Sequence, residues 1–217
     1  MFTLQTNQKT TKGKITMANK IMTTPAGRAF WPRLTEPDTA FNSAGVYHAK
    51  IHVSENDFKV FDAELRKIYK AYHANVEKET GKPHGEADGY PCSITKEGDF
   101  QIYAKQVAKK LTDKGLLEFS VALVDSKGKK INDKPNVGNG SILKLSVEPF
   151  CWSMNLKGSG LVTGISLRLR AAQIIELKEF GGGGSDFGFG DEGDGFVSET
   201  FETEFENEEQ SKGSIPF

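Results

Sequence analysis

Four consecutive glycines at positions 181–184 divide this 217-residue chain into a part that can fold and a part that cannot fold alone. The residues that follow, 186–217, carry ten Asp or Glu side chains against one lysine. Such a segment has too little apolar surface to offset the entropy lost on ordering, and its like charges repel each other. We therefore predict a glycine hinge and a disordered acidic tail over residues 181–217, attached to one domain of roughly 160 to 180 residues.

The near-neutral net charge of −1 hides two parts of opposite sign. Residues 1–185 hold 27 basic and 19 acidic side chains, a net charge of +8, whereas residues 186–217 have a net charge of −9. A basic body attracts polyanions, and an acidic segment on a flexible hinge reaches the same surface at high effective concentration. The alternative is a tail that only keeps the protein soluble. The apolar tip, Ile215, Pro216 and Phe217, favours partner binding, because a solubility tail has no use for it.

The cysteines and the lengths of the apolar runs indicate the cellular compartment of this protein. Cys92 and Cys151 lie far apart, with no second pair to indicate a zinc site or a disulfide framework, so we interpret them as reduced thiols of a cytosolic protein. No apolar run reaches the length of a membrane span, and no signal peptide is visible. Residues 1–18 are polar and aperiodic, which predicts a disordered extension; Met17 is a candidate internal start.

One long helix, over about residues 55–80, is the best-specified element. Ser54 is a candidate N-cap with Asp57 three residues on, Gly81 is a candidate stop, and Pro83 forbids continuation. At ~100° per residue, the apolar side chains of this segment fall within an arc of about 100°. They are Phe58, Phe61, Leu65, Ile68, Tyr69, Tyr72 and Val76. One such stripe indicates a helix that lies on the domain with its aromatic rings in the core.

The remaining periodicity is that of β-strands. We predict strands at about residues 20–30 (ended by Pro32), 46–53, 100–107, 117–124, 142–147 with an extension towards Trp152, and 161–177. In the second strand, alternation puts Tyr47, Ala49, Ile51 and Val53 on one face. In the last strand it puts Ile165, Leu167, Leu169 and Ala171 on one face and Ser166, Arg168 and Arg170 on the other. Short amphipathic strands with one inserted helix predict a mainly β domain over residues 19–180, a small antiparallel barrel capped by the helix.

Patterns that would indicate catalysis are lacking in this sequence. The four histidines, His48, His52, His73 and His84, have no metal-ligand spacing. Residues 137–141 are glycine-rich but lack the lysine and the following helix of a phosphate-binding loop. Neither cysteine has a neighbouring histidine. We therefore interpret the protein as a non-enzyme without a cofactor or metal.

Basic and aromatic residues are interleaved, which is typical of proteins that bind single-stranded nucleic acid. Cations follow the phosphates, and exposed rings stack on bases. Arg28, Trp31 and Arg33 alternate at the end of the first strand, while Tyr103 and Lys105 share the face opposite Ile102. The candidate DNA-binding residues are Arg28, Trp31, Arg33, Lys50, Tyr90 (in a flexible loop over residues 81–91), Tyr103, Lys105, Lys129, Lys130 and Trp152.

Some of these residues have a second interpretation that the sequence leaves open. Trp31 and Trp152 are equally explained as core residues, and Lys129 and Lys130 as a solvated turn. Arg168 and Arg170 fit either the binding groove or a subunit interface, so a homodimer stays open.

Two groups of segments carry a pattern found in one protein family. The first group is residues 23–29, 34–39, 41–42 and 45–47, and the second is residues 138–141 and 164–169, followed by Gln173, Ile174 and Ile175. They resemble, respectively, the opening and the closing strands of the single-stranded-DNA-binding proteins of tailed bacteriophages. The resemblance implies an OB-fold, here a five-stranded antiparallel barrel with an accessory helix and a DNA-binding cleft. It also implies an acidic tail that recruits replication proteins, such as polymerase, helicase or primase, in the cytoplasm of the infected bacterial host.

The tip carries a second resemblance. Residues 215–217 are similar to the end of bacterial single-stranded-DNA-binding proteins, which dock an apolar C-terminal residue and its carboxylate into basic pockets on partners. Here Lys212, Gly213 and Ser214 stand where those tails continue with aspartates.

The leading hypothesis is sequence-independent binding of single-stranded DNA during phage replication, recombination and repair, with the tail competing for the groove. The rival is a protein-interaction adaptor whose acidic tail is the active element. A nucleotidyl-transfer enzyme on a similar barrel is a third hypothesis, although no motif lysine supports it.

Overall fold

The computed structural model describes residues 20–158 and 160–179, which form eleven strands and one helix. The predicted N-terminal extension up to residue 18 and the predicted hinge and acidic tail lie outside these residues. The elements are β1 (Met22–Thr23), β2 (Gly27–Asp38), β3 (Val46–Val53), α1 (Glu55–Thr80), β4 (Gly85–Glu86), β5 (Cys92–Ile94), β6 (Phe100–Val107), β7 (Lys109–Thr112), β8 (Gly115–Glu118), β9 (Ala122–Val124), β10 (Ile142–Leu156) and β11 (Gly160–Glu176).

Nine of the strands belong to one sheet, whose pairings close on themselves. From β10 the pairing passes to β2, β3, β6 and β11, and β11 pairs again with β10. The pairs β10–β11, β2–β3 and β3–β6 are antiparallel, as predicted. The contact of β6 with β11 is parallel, however, as are those of β4 and β9 with β11. The domain is thus mainly β with one helix, but its strands are not all antiparallel.

Helix α1 begins and ends at the predicted residues. The Ser54 side chain accepts a hydrogen bond from the Asp57 N–H, and Gly81, in the left-handed conformation, donates to the Glu77 carbonyl at 2.9 Å. The predicted stripe is confirmed, and Ile68 is the one member that is only partly buried. The buried helix residues are Phe58, Phe61, Leu65, Tyr69, Tyr72 and Val76. This stripe completes the core formed by the inward faces of the strands.

Strand β2 does not end at Pro32, contrary to the prediction. The ladder with β3 passes from Phe30 opposite Lys50 to Arg33 opposite His48, so β2 contains one extra residue. At this bulge Trp31 has a φ of 45°, and its N–H donates to the Asn139 Oδ1. Because a bulge leaves a residue outside the regular ladder, the missing N–H of Pro32 is tolerated and the strand continues.

A second bulge shifts the alternation within β11. Ser146 lies opposite Ala171 but the next residue, Val147, lies opposite Leu169, so Arg170 is the extra residue. As a result Ala172 is buried in place of the predicted Ala171. The predicted strand over residues 117–124 is also divided, because β8 pairs with β7 in a separate two-stranded sheet while β9 joins β11.

Two chemical features of the described residues bear on function. No helix among them has an apolar stretch that could cross a membrane. Cys92 and Cys151 are free thiols, and burial raises the pKa of Cys92 to about 12 and that of Cys151 to about 11. Both side chains are therefore protonated packing groups at neutral pH and not reactive thiolates.

Candidate nucleic-acid interface

The outward sides of β2, β3 and β6 form one continuous surface, which we call the outer face. Residues directly opposite each other in a ladder share a face. The register sets the outward side chains in three rows: Arg28, His52 and Gln101; Phe30, Lys50 and Tyr103; and Arg33, His48 and Lys105. The opposite sides of the same strands are sealed in the core, with Ala29, Ile51 and Ile102 at 0% exposure. Rings and cations are thereby interleaved on one surface.

The outer face continues from β6 onto β11 and β10. Lys105 lies in register with Arg168 of β11, which lies opposite Glu148 of β10. Two and four residues further along β10, Phe150 lies opposite Ser166 and Trp152 opposite Gly164. Since residues two apart on a strand point to the same side, Glu148, Phe150 and Trp152 extend the same surface.

The segment over residues 85–91 holds β6 and β11 apart near Tyr103. Strand β4, at its start, pairs with β11, and the Ala87 N–H donates to the Thr163 carbonyl at 2.7 Å. On the other side, the Tyr103 N–H donates to the Pro91 carbonyl at 2.8 Å. Main-chain hydrogen bonds to both strands therefore make this segment a spacer. We call residues 85–91 the spacer segment.

A groove of about 380 Å³ opens beside the spacer segment. Three aromatic rings, one cation and three residues of the spacer segment meet in it. Its lining residues are Asp88, Gly89, Pro91, Tyr103, Lys105, Phe150, Trp152, Ile165, Ser166 and Leu167. The volume lies within the range of clefts that hold small organic groups. Three of the residues singled out from the sequence, Tyr103, Lys105 and Trp152, are thus brought together.

Tyr103 presents a neutral ring to the groove. Burial raises the pKa of its phenol, and the Asp38 carboxylate adds to the increase. The Lys50 Nζ lies 5.8 Å from the ring centroid. Burial lowers the pKa of His48, although Asp38 opposes this effect. Because that pKa is below the usual 6.5, His48 is mostly neutral at pH 7 and adds little positive charge to the outer face.

Phe150 is covered on one side by a guanidinium group. The Arg168 Cζ lies 3.4 Å from the ring centroid of Phe150. Arg168 also forms an ion pair with Glu148 at 3.9 Å, and Arg170 forms one with the same carboxylate at 3.0 Å. The placement of Arg168 beside Phe150 favours the groove interpretation over a subunit interface. A guanidinium plane on an aromatic ring is a stable arrangement, and both present flat surfaces to a base.

The position of Trp152 depends on the absence of a side chain at Gly164. A Cβ atom built at Gly164 would lie 2.3 Å from the Trp152 Cζ2, which is closer than any real contact. The indole therefore lies directly on the Gly164 backbone, an arrangement in which an aromatic residue covers a glycine on the neighbouring strand. Trp152 is half-buried as a result.

Substitution of Gly164 with alanine should displace the Trp152 ring. In a Trp31→Phe background, in which Trp152 is the remaining indole, we expect red-shifted emission, stronger acrylamide quenching and a loss of about 1–3 kcal/mol of stability from overpacking. The matched control is Gly85→Ala on the neighbouring strand, where the nearest atom to a new Cβ is 3.6 Å away. Identical spectra for the Gly164 and Gly85 variants would contradict the proposed contact.

Arg28 and Arg33 lie on the outer face and Trp31 lies at the bulge between Phe30 and Arg33, but none of the three lines the groove. Trp31 is 63% exposed, so the structure places it on the surface and not in the core. Arg28 and Arg33 are exposed on the same strand. Strand β2 is two strands away from β6, about 10 Å at the usual strand spacing. These residues border the groove residues without lining the same cavity.

Tyr90 points away from the groove, although its neighbours Gly89 and Pro91 line it. The ring packs against the core and under Arg66 of α1, whose guanidinium carbon lies 4.7 Å from the ring centroid. The segment that we predicted to be flexible is also anchored by a His73 to His84 hydrogen bond of 2.9 Å. The sequence could not indicate either contact, because each joins residues 81–91 to a side chain of α1 more than ten residues earlier in the chain.

Lys129 and Lys130 lie away from the groove. They belong to a turn in which the Lys129 N–H donates to the Asp125 Oδ1 at 2.8 Å. Gln173 of β11 binds the carbonyls of this turn. Gln173 is seven residues beyond Ser166, roughly 20 Å along the strand. A role of these lysines in DNA binding stays a prediction, as does that of the tip residues 215–217, which lie outside the described residues.

Among the residues of the site that were not selected from the sequence are Glu148, Phe150 and Gly164. Period-two spacing along β10 was the available signal for Phe150, because it precedes Trp152 by two residues. No sequence signal marks the burial of Glu148 or the contact of Gly164 with an indole, since both depend on the pairing of β10 with β11.

Known proteins resemble this chain over most of the described part. The family described as single-stranded DNA-binding protein of bacteriophage T7 matches residues 30–177. The single-stranded DNA-binding protein of Escherichia phage T7 is 30% identical over 208 residues, covering 84% of this chain and 87% of that protein. The corresponding protein of Enterobacteria phage T3 is 31% identical over 164 residues, covering 67% and 68%.

Solved structures resemble the fold as well. The crystal structure of gp2.5, a single-stranded DNA-binding protein encoded by bacteriophage T7, matches with a TM-score of 0.65 and 27% identity, covering 84% of this chain and 100% of that one. The single-stranded DNA-binding protein from bacteriophage Enc34 in complex with single-stranded DNA has a TM-score of 0.53 at 13% identity, covering 75% and 89%. The second match is a likeness of fold alone.

Proposed function

Since the chain belongs to the family of the single-stranded DNA-binding protein of bacteriophage T7, we propose that it binds single-stranded DNA without strong sequence preference. Bases stack on the rings of Tyr103, Phe150 and Trp152 in the groove. Phosphates follow Arg28, Arg33, Lys50 and Lys105, the cations of β2, β3 and β6 on the outer face. The family binds DNA and is not an enzyme family, so no catalytic step is part of the proposal.

The observation that carries this proposal is the meeting of three rings and Lys105 in one groove. Every base has a flat face that stacks on a ring, so stacking tolerates any sequence, whereas duplex DNA keeps its bases paired and out of reach. The closed pairing of β10, β2, β3, β6 and β11 supports an OB-fold, a five-stranded barrel with α1 as accessory helix.

Titration of tryptophan fluorescence with an oligonucleotide tests the proposal. A mixed-sequence single strand should quench the emission of the Trp31→Phe variant, in which Trp152 remains, and should bind more tightly than a duplex of the same sequence. Affinity should fall with salt at a log–log slope of roughly −0.7 per phosphate neutralised. Equal and weak binding of both DNA forms would reject the proposal and favour the adaptor hypothesis.

The acidic tail is proposed to compete with DNA for the outer face and to recruit replication proteins through Ile215, Pro216 and Phe217. The net charge of −9 over residues 186–217 supports this role, because the outer face is basic. The protein would then act in phage DNA replication, recombination and repair in the cytoplasm of the infected host.

Deletion of residues 186–217 should tighten binding to single-stranded DNA, most clearly at low salt, where charge repulsion and competition are least screened. The control is a deletion of residues 215–217 alone, which keeps every carboxylate of the tail side chains and should leave affinity for DNA nearly unchanged. Fluorescence titrations of the three proteins at low and high salt measure the difference. Equal affinity of the full-length and long-deletion proteins at low salt would reject the competition.

A further inference from the structure

Glu148 is a carboxylate buried in a surface that is proposed to hold DNA. It is 3% exposed. It lies on the outward side of β10, two residues before Phe150, which points to the same side. A carboxylate in this place would repel phosphates if it were exposed and unpaired, and a buried unpaired charge is costly. A buried carboxylate in this position therefore needs cationic partners.

Two arginines neutralise this carboxylate. The bulge in β11 adds Arg170 to the strand, so Arg168 and Arg170 reach the same group, at 3.9 Å and 3.0 Å. Both arginine side chains are partly exposed, at 38% and 46%. They are thus at the surface, and both guanidinium groups are held by Glu148, whose single negative charge offsets one of their two positive charges.

Arg168 is held on its other side as well, by the Phe150 ring at 3.4 Å. Burial lowers the pKa of its guanidinium, and Glu148 opposes this effect. A guanidinium that is paired with a carboxylate and stacked on a ring is a flat surface for a base and a poor additional counterion for a phosphate.

We propose that Glu148 is a specificity-determining residue that withholds Arg168 and Arg170 from phosphates and so favours single-stranded over duplex DNA. This inference rests on the proposed function. Duplex DNA offers a dense array of phosphates but no free base faces, so its affinity depends on the number of available cations. Withholding two cations reduces duplex binding more than binding to single strands, to which ring stacking also contributes.

The test compares Glu148→Gln with the unaltered protein in salt titrations on single-stranded and duplex DNA. Gln keeps the shape of the side chain and releases the two arginines. The log–log salt slope should become steeper by roughly 0.7 per arginine for single strands and roughly 0.9 per arginine for duplex. The ratio of single-strand to duplex affinity should fall. The matched control is Glu79→Gln, an exposed residue at the end of α1, which makes the same charge change and should alter neither slope by this amount.

Two further variants test the inference even if Glu148→Gln does not fold. They are Arg168→Gln and Arg170→Gln, each with Glu148 unchanged. Both should leave the single-strand salt slope unchanged, because neither arginine neutralises a phosphate in the unaltered protein. A slope that is shallower by about 0.7 in either variant, or an unchanged slope in a folded Glu148→Gln protein, would overturn the inference and leave the proposed function intact. Failure of the unaltered protein to bind single strands would overturn both.

Discussion

Replacement of both Tyr103 and Trp152 with alanine should weaken binding to single-stranded DNA by roughly 30- to 700-fold, about 2–4 kcal/mol. Each base that stacks on an aromatic ring contributes about 1–3 kcal/mol by alanine substitution. The two rings line the same groove, so their contributions are coupled and do not simply add. Fluorescence anisotropy of a labelled oligonucleotide measures the loss, since the double variant lacks the Trp152 signal.

The salt dependence separates this effect from a loss of charge. Neither ring neutralises a phosphate, so the log–log salt slope should stay the same while the affinity falls. Phe41→Ala is the matched control, because Phe41 is a fully exposed ring, at 100%, in the loop between β2 and β3. An unaffected double variant, or an equal loss in the Phe41 variant, would show that the groove is not where bases bind.

Leu65→Ala should destabilise the domain by about 2–5 kcal/mol. Leu65 is 0% exposed in the middle of the buried stripe of α1 and belongs to the common core. Removing three carbon atoms there leaves a cavity between the helix and the sheet. Chemical denaturation followed by circular dichroism measures the change in the free energy of unfolding.

The same helix provides the control for this measurement. Val60 is 73% exposed, and Val60→Ala should change stability by no more than about 0.5 kcal/mol, with a slight gain from the higher helix propensity of alanine. A Leu65 variant as stable as the Val60 variant would show that α1 does not contribute to the core as described.

The helix and the alternation of β3 and β6 could be predicted because their signals are local. Caps at Ser54 and Gly81 fixed the ends of α1, and the period of two separated Tyr103 and Lys105 from the core residues Ile102 and Ala104. The family resemblance added the right class of protein, since it drew on patterns spread over most of the domain.

The predictions that were wrong concern features that depend on contacts between residues far apart in the sequence. Pro32 suggested the end of a strand, but a bulge at Trp31 needs a partner strand to be recognised. Tyr90 resembled an exposed loop residue, although Arg66 and the core cover it. Phe150 and Trp152 lie near Tyr103 because β10 pairs with β11 and because β11 is separated from β6 beside the groove. Neither arrangement can be predicted from one stretch of the sequence.

The spacer segment sets the width of the groove by its backbone. Its contacts to the flanking strands at Thr163 and Tyr103 are made by main-chain atoms, which every amino acid other than proline supplies as donors. Side-chain changes that keep the packed Tyr90 ring and Gly89, whose φ is 87°, therefore leave these main-chain contacts in place, whereas inserting or deleting a residue there alters the gap into which bases enter. Chain length, more than chemical identity, is the property of this segment on which the dimensions of the site depend.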